Sequence, residues 1–193
     1  SLIADMSSDI FSRKIDYSKF DLFYAGAQKN MGPAGVTLVV IKESVLSKVS
    51  REIPSMLNYN SYIKAGSMSN TPPVFAVYTA LLNLRWIESQ GGLEELEKRN
   101  KNKAELLYNE IDKNPCFEGF AAKEDRSHMN VTFTLTDKSL SDDFNKIWED
   151  NNISGLKGHR SVGGYRASIY NALPIESIEL LVKCMKQFEK NFK

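Results

Sequence analysis

Three short apolar runs at the start of the chain constrain its fold more than any other feature. They occupy residues 2–4, 20–25 and 36–41. The third is rich in β-branched residues, as buried strands are. A Gly-Pro-Ala-Gly sequence at 32–35 gives a turn signal before it. The first part of the chain is therefore predicted to carry a small sheet.

Helical patterns and one long polar segment follow these runs. Residues 43–49 are predicted to form a short helix. The segment 55–73 is rich in Asn, Ser, Gly and Pro and is predicted to be a long irregular loop, a feature that is uncommon in compact domains and often functional. From 73 to 87 the apolar spacing is helical. One helical face holds Phe75, Tyr78, Leu82 and Trp86, and Trp86 is predicted to lie in the core.

The remainder of the chain alternates helix and strand. Helices are predicted at 93–111, 141–150 and from Pro174 onward, and strands at 131–135 and 165–170. This order predicts the α/β class. The predicted division places a sheet-bearing piece in residues 1–91. A small α/β domain with its connecting helix would then occupy residues 92–193.

Charge, cysteine content and hydropathy exclude several function classes. The formal net charge is only +1, whereas nonspecific nucleic-acid binding usually needs a basic excess. Cys116 and Cys184 share no local motif and are predicted to be buried thiols in a reducing cytoplasm. No apolar run approaches the roughly 20 residues that span a bilayer. Neither a nucleic acid nor a membrane is expected as a partner.

Lys29 is the first candidate for chemistry. It follows the second apolar run among small residues and amides, in Ala-Gly-Ala-Gln-Lys-Asn. A lysine in such surroundings can approach a ligand closely and lose part of its solvation, which lowers an amine's pKa and makes it a nucleophile toward carbonyls. The alternative, a solvated surface lysine, stays open on local context alone.

Asp5 is the second candidate, because it ends the first apolar run. A strand that ends in a carboxylate aims the acid at a ligand beyond the strand tips, although a turn aspartate is an equally good local interpretation. Pyridoxal phosphate (PLP) chemistry needs such a pair. A lysine forms the Schiff base, and a carboxylate keeps the pyridine nitrogen protonated.

Two further segments have the composition of anion sites. Ser67-Met-Ser-Asn-Thr-Pro-Pro73 precedes the apolar helix, where hydroxyl, amide and free backbone N–H groups can bind an anion or simply cap the helix. Residues 155–166 place three basic residues and His159 among four glycines. That loop fits small-anion binding, a solvated basic hairpin or nucleic-acid backbone binding, but it lacks the aromatic platform of the last class.

These residues carry a resemblance to a known family. Ala-Asp-x-Ser-Ser-Asp at 4–9, followed by Tyr-Ala-Gly-Ala-Gln-Lys-Asn-x-Gly-Pro-Ala-Gly at 24–35, resembles the cofactor segment of phosphoserine aminotransferases, which are fold-type I PLP enzymes. The resemblance implies that Lys29 forms the Schiff base and catalyses the 1,3-proton transfer. It also implies that Asp5 partners the pyridinium nitrogen and that Gln28 binds the cofactor phosphate.

The resemblance extends to both anion segments. In the family the Asn-Thr pair, here Asn70 and Thr71, reaches the PLP phosphate of the other subunit, which implies a homodimer with shared sites. The sequence Gly-His-Arg followed by Gly-Gly-x-Arg-Ala-Ser-x-Tyr-Asn is similar to the family's substrate loop. By that similarity Arg166 binds the substrate α-carboxylate, while His159 and Arg160 bind its phosphate.

The implied reaction converts O-phospho-L-serine and 2-oxoglutarate into 3-phosphohydroxypyruvate and L-glutamate, in L-serine biosynthesis. Whether 4-phosphohydroxy-L-threonine, in pyridoxine biosynthesis, is also a substrate stays open. The implied fold is the C-terminal part of the large PLP-dependent transferase domain plus the small C-terminal α/β domain. No His, Cys and Asp cluster has metal-ligand spacing, so no metal is predicted.

The family's N-terminal region is missing from this resemblance. The chain opens without Met on a strand-like run, so it is expected to be a piece of a longer polypeptide that alone is inactive or binds PLP weakly. Two alternatives remain. One is another class V aminotransferase, of the alanine–glyoxylate or serine–pyruvate type, and the other is a noncatalytic anion-binding or dimerisation module.

Overall fold

The computed structural model describes residues 1–192. The chain divides into two compact units, Ser1–Leu93 and residue 94 onward. Helices and strands occur in both units. The predicted α/β class is therefore confirmed, whereas the assignment of 1–91 and 92–193 to a large and a small domain stays a prediction.

The first unit contains a three-stranded sheet in the order β1-β2-β3. Strand β1 (Ile3–Asp5) runs parallel to β2 (Leu22–Gly26), and β2 pairs antiparallel with β3 (Thr37–Ile41). The three apolar runs thus form strands, shifted by one or two residues from their predicted bounds. One apolar cluster is built on this sheet and comprises Met6, Ile10, Phe23 and Ala25. Because β1 and β2 are parallel, both end at the same edge of the sheet.

The prediction of a structureless segment at 55–73 is wrong in its first half. Residues Ser55–Leu57 form a 3₁₀ turn and Tyr59–Lys64 form helix α2. The side chain of Asn58 accepts a hydrogen bond from the backbone N–H of Asn60, so it caps α2. Asn and Ser indicate either a loop or a helix start, and here they start a helix. The predicted helix at 43–49 is shorter than expected, since α1 spans Glu43–Leu46.

Helix α3 (Val74–Ser89) forms where predicted but buries a different face. Its fully buried residues are Ala76, Ala80 and Ile87, whereas the large apolar face is exposed and Phe75 is 75% accessible. Trp86 is half-buried, not a core residue. The face with the small residues Ala76 and Ala80 points inward because the helix lies close to the loop before β3. A Cβ atom added at Gly32 would lie 3.2 Å from the Cα atom of Ala80.

The second unit packs three helices with an antiparallel sheet in the order β4-β5-β6. The strands are β4 (Phe117–Gly119), β5 (Asn130–Leu135) and β6 (Tyr165–Ser168). The helices are α4 (Gly92–Lys113), α5 (Ser141–Asp150) and α6 (Ile175–Phe192). Strand β4 is absent from the sequence prediction, because three residues after Asn114-Pro115 are too few to show an alternating pattern.

The apolar core of the second unit includes every second residue of β5. Val131, Phe133 and Leu135 are buried, while the residues between them are partly exposed. Phe117, Phe144 and Phe188 complete an aromatic cluster with ring centroids 5.0 to 5.8 Å apart. Within residues 1–192, no helix has the length and apolar content to cross a membrane.

Candidate functional site

Asp5 and the Lys29 loop lie at the edge of the first sheet where β1 and β2 both end. Asp5 is the last residue of β1 and is paired in register with Tyr24 of β2. Lys29 follows β2 by three residues, and its Nζ atom donates a 2.8 Å hydrogen bond to the Ser8 hydroxyl. Parallel pairing of the two strands therefore brings the predicted carboxylate and the predicted amine to one edge.

Hydrogen bonds hold Asp5 in its ionised form. The backbone N–H of Ser7 donates to the Asp5 carboxylate at 2.8 Å. The pKa of Asp5 is lowered first by the side chain and backbone of Ser7, then by the Tyr24 hydroxyl and by the positive charge of Lys29. An acid with a lowered pKa carries its negative charge at neutral pH, which is the state needed to keep a pyridine nitrogen protonated.

The backbone of the Lys29 loop is fixed although the lysine side chain is exposed. The Ala27 carbonyl accepts hydrogen bonds from the N–H groups of Lys29 and Gly32, both at 2.7 Å. Asn30 is buried, and its amide donates to the carbonyls of Ser8 and Ile10 at 3.2 Å. The Lys29 side chain is exposed, and its loss of solvation against a ligand stays a prediction.

Asn30 and Ser8 are residues of this site that the sequence interpretation did not single out. Both stand inside the quoted motif, so the signal was present. Their role is visible only once the chain has folded, because Ser8 bonds Lys29 across 21 residues. Gln28 is also exposed and folds back over Gly26, where an added Cβ atom would lie 2.5 Å from its Oε1 atom.

The segment before α3 does not cap that helix. The N-cap position is Pro73, and no side chain makes a capping hydrogen bond. The Asn70 amide instead donates to the Thr71 carbonyl at 3.1 Å, and both residues are exposed. The cap interpretation is therefore wrong, and the side chains of Asn70 and Thr71 are accessible to a ligand. Their predicted contact with a cofactor phosphate stays a prediction.

The glycine-rich loop of the second unit is a tight turn. The N–H of Gly158 donates to the Gly164 carbonyl at 2.8 Å, and the N–H of Gly163 donates to the His159 carbonyl at 2.8 Å. A side chain at Gly158 would collide with the carbonyl oxygen of Gly163, so only glycine fits there. The sequence folds tightly because its glycines allow this close approach of two backbone segments.

His159 has a defined ring orientation in this loop. Its Nδ1 atom lies 2.7 Å from the Ser161 hydroxyl, and it accepts a 3.3 Å hydrogen bond from the Ser161 N–H. An Nδ1 atom that accepts leaves the neutral ring's proton on Nε2. The ring can then donate from Nε2 to an anion.

The predicted anion-binding residues of this unit share one groove. The groove has a volume of about 540 Å³, and its lining includes Lys157, His159, Arg160 and Arg166. Arg166 reaches it from β6, on the outward face between the buried residues Tyr165 and Ala167. Lys157 is paired with Glu149 at 3.7 Å. Such a basic, partly enclosed groove suits a small molecule with anionic groups.

The structure therefore gathers the predicted residues into two groups, one in each unit. The first group contains Asp5, Gln28 and Lys29, and the second contains His159, Arg160 and Arg166. Among residues 1–192, no three His, Cys, Asp or Glu side chains are grouped so as to hold a metal ion.

A family model described as aminotransferase class V matches residues 1–181. The chain belongs to this family. The class V assignment confirms the family implied by the motif around Lys29.

Named relatives of this class V chain are phosphoserine aminotransferases. The Flavobacterium johnsoniae protein of that name is 63% identical over 188 residues, which cover 97% of this chain and 53% of the relative. The solved phosphoserine aminotransferase from Bacillus circulans subsp. alkalophilus is 48% identical with a TM-score of 0.93, over 100% of this chain and 54% of that one. The PLP-bound phosphoserine aminotransferase of Trichomonas vaginalis is 40% identical with a TM-score of 0.89, over 96% and 53%. This class V chain thus spans about half the length of the relatives it matches.

Proposed function

We propose that the chain is the C-terminal portion of a PLP-dependent phosphoserine aminotransferase. The complete enzyme would transfer the amino group of O-phospho-L-serine to 2-oxoglutarate, giving 3-phosphohydroxypyruvate and L-glutamate, in the L-serine biosynthesis of the cytoplasm. The observation that carries the proposal is the ionised carboxylate of Asp5 beside the Lys29 loop at one sheet edge. Relatives of that name at about 60% identity support it.

The donor set at that edge fits PLP. An accessible amine, a carboxylate with a lowered pKa and an amide side chain are present at Lys29, Asp5 and Gln28. Lys29 would hold the cofactor covalently, Asp5 would bind its pyridine nitrogen, and Gln28 would bind its phosphate. When bound, PLP supplies an aldehyde carbon and a ring that accepts electrons.

Each residue would then have one chemical task. The Lys29 amine, released when the amino group of the substrate takes its place, would remove the proton from the α-carbon of the amino acid, in the role of general base. Asp5 would hold the proton at the pyridine nitrogen, because a nearby negative charge favours the protonated, cationic form. The hydrogen bond from Ser7 assists by keeping Asp5 ionised.

The second group would bind the substrate. O-Phosphoserine has an anionic group at each end, so one cationic group for each end both orients it and excludes neutral amino acids. Arg166 would bind the α-carboxylate with its fork of donors. His159 and Arg160 would bind the phosphate, with His159 donating from Nε2, since its Nδ1 atom is engaged by Ser161.

The active form would be a homodimer in which Asn70 and Thr71 complete the site of the other subunit. Both residues are accessible and neither caps α3. The Asn70 amide gives one of its two N–H donors to the Thr71 carbonyl, which leaves the other and the Thr71 hydroxyl available to a phosphate. The exposed apolar face of α3, with Phe75 and Tyr78, begins four residues after Thr71. Apolar surfaces of this kind are typical of subunit interfaces.

Covalent labelling tests the cofactor assignment in this chain directly. The protein is incubated with PLP, reduced with borohydride, digested and mapped by mass spectrometry. The label is expected on Lys29, and Lys29→Ala should lose both the label and the cofactor absorption band. Lys42→Ala is the matched control, because Lys42 is another exposed lysine at a strand end, paired with Asp21 at 3.3 Å. A label elsewhere would contradict the proposal.

Substrate preference separates the proposal from its alternatives. The complete enzyme should prefer phosphoserine strongly over serine, whereas an alanine–glyoxylate or serine–pyruvate enzyme would not need the basic pair at 159–160. A noncatalytic module would give neither the label nor transamination.

A further inference from the structure

Lys103 is a buried charge for which the proposed reaction has no use. It lies on α4 and is only 3% accessible. Its Nζ atom donates to three backbone carbonyls, those of Ile169 at 3.0 Å, Tyr170 at 2.8 Å and Leu173 at 3.1 Å. An ammonium has three N–H donors, so every donor is used.

Such an arrangement requires the charged form of the lysine. Burial lowers the pKa of Lys103 to about 8, which leaves it protonated at neutral pH. A neutral amine has one donor fewer and would turn a lone pair toward the third carbonyl. Buried charge is costly unless it is well bonded, so these three bonds join α4 firmly to residues 169–173.

The segment bound by Lys103 follows β6 directly, and β6 carries Arg166. Strand β6 has four residues and lies at the edge of its sheet. A slip of one residue in strand pairing moves every side chain to the opposite face. In β6 such a slip would turn Arg166 from the groove toward the core. A short edge strand has few ladder hydrogen bonds to prevent this, so its register depends on what fixes its ends.

Both ends of β6 are fixed from outside the strand. Near the start, the N–H of Arg166 donates to the Leu156 carbonyl at 2.7 Å. Beyond the end, Lys103 binds the Ile169 carbonyl, and the Ile169 N–H donates to Met129 at 2.9 Å. One turn before Lys103 on α4, the Asn100 amide donates to the Asn171 side chain at 2.8 Å.

We propose that Lys103 is a positioning residue for Arg166, holding the exit of β6 so that the guanidinium faces the substrate groove. The inference rests on the proposed role of Arg166 in carboxylate binding. It goes beyond that role because it makes the Lys103 ammonium, on α4, responsible for the orientation of Arg166. Lys103 acts through its hydrogen bonds to the backbone carbonyls of residues 169–173.

Amide hydrogen exchange tests the structural half of the proposal without any catalysis. The variant Lys103→Met keeps a long unbranched side chain but removes the three N–H donors. In it, hydrogen exchange at the Ile169 and Leu173 amides should accelerate at least about tenfold. The Phe120 amide, bonded to Thr132 at the far side of the sheet, should keep its rate. Equal acceleration at all three amides, or none at Ile169 and Leu173, would overturn the proposal.

Kinetics of the complete enzyme test the functional half. Lys103→Met should raise KM for phosphoserine and for glutamate about tenfold, since both have an α-carboxylate, with kcat changed less than about twofold. In an Arg166→Gln background, Lys103→Met should raise KM no further, because the group that it positions is gone. Full additivity of the two KM effects would refute the assignment.

Two controls keep the outcomes separate. Leu107→Ala removes a fully buried side chain from the same helix and should lower stability without altering KM. Lys103→Gln replaces Lys103→Met if the latter does not fold, because its amide keeps two donors, and it should show smaller effects in the same direction. A wild-type enzyme without transaminase activity would refute the proposed function, while the exchange result would still decide whether Lys103 fixes β6.

Discussion

The Nζ atom of Lys29 donates a 2.8 Å hydrogen bond to the hydroxyl of Ser8, which stands just beyond the end of β1. The bond joins the loop after β2 to the segment after β1. The predicted reactive amine is therefore oriented by Ser8, in the segment that follows β1. Asn30 strengthens the same junction, since its amide donates to the Ser8 carbonyl at 3.2 Å.

Ser8→Ala should weaken PLP binding without moving the site of labelling. The hydroxyl contributes about 1 kcal/mol through a hydrogen bond to a charged group that is exposed, so the dissociation constant should rise about fivefold. Titration of the absorption band with PLP measures the constant, and borohydride mapping should still find Lys29. Ser18→Ala is a matched control, because Ser18 bonds the exposed Asp16 away from the site. An unchanged dissociation constant would show that Ser8 does not orient Lys29.

Asp5→Asn should reduce transamination by the complete enzyme on the order of 100-fold or more, because an amide cannot hold the positive charge at the pyridine nitrogen. Asp5→Glu keeps the charge and should recover part of the rate. Asp16→Asn removes an exposed carboxylate elsewhere in the same unit and should have no effect. The comparison uses kcat at saturating PLP, so that weaker cofactor binding does not enter. Equal rates for the Asn and Glu variants would contradict the charge argument.

How much of this structure can be predicted from the sequence depends on how far apart in the sequence the interacting residues lie. Strands, helices and the residues at strand ends follow from local pattern, which is why Asp5 lies where the pattern predicts, at the end of β1. The buried face of α3 does not follow, because periodicity finds the large apolar side chains but the packing is decided by how closely Ala80 approaches Gly32. Lys103 was missed for a related reason. Its carbonyl partners lie 66 to 70 residues away and carry no side-chain signal.

His159→Ala and Arg160→Ala should each lower the preference for phosphoserine over serine. The two residues are assigned to the phosphate, which serine lacks, so kcat/KM for phosphoserine should fall about tenfold to 100-fold while that for serine changes little. Arg166→Gln is the contrasting variant. It should lower both values together and leave their ratio unchanged, because both substrates carry the α-carboxylate. If the ratio of kcat/KM for phosphoserine to kcat/KM for serine stays unchanged in the His159 and Arg160 variants, these residues do not bind the phosphate.

Subunit mixing tests the shared site. Lys29→Ala and the double variant Asn70→Ala/Thr71→Ala should each be inactive in the complete enzyme. After co-expression, half of the dimers are mixed and each mixed dimer has one intact site of two, so about a quarter of the wild-type activity should return. Two different affinity tags isolate the mixed dimer and confirm that it formed. An inactive mixed dimer would mean that the three residues serve the same subunit's site.

Lys103 gives the stability of the second unit a defined pH dependence. Burial lowers the pKa of Lys103 from 10.5 to about 8, so between these values the unfolded chain binds a proton that the folded chain does not. The free energy of unfolding, taken as the difference from that of Lys103→Met, should therefore rise between pH 8 and pH 10.5 by about 1.4 kcal/mol per pH unit. Below pH 8 this difference should be constant. Urea unfolding at several pH values measures the difference, with Trp148 as the probe in a Trp86→Phe background. Other groups titrate in both proteins and cancel in the difference. Parallel curves for the two proteins between pH 8 and pH 10.5 would show that Lys103 keeps an ordinary pKa when folded, and that the three carbonyls offset the whole cost of its burial.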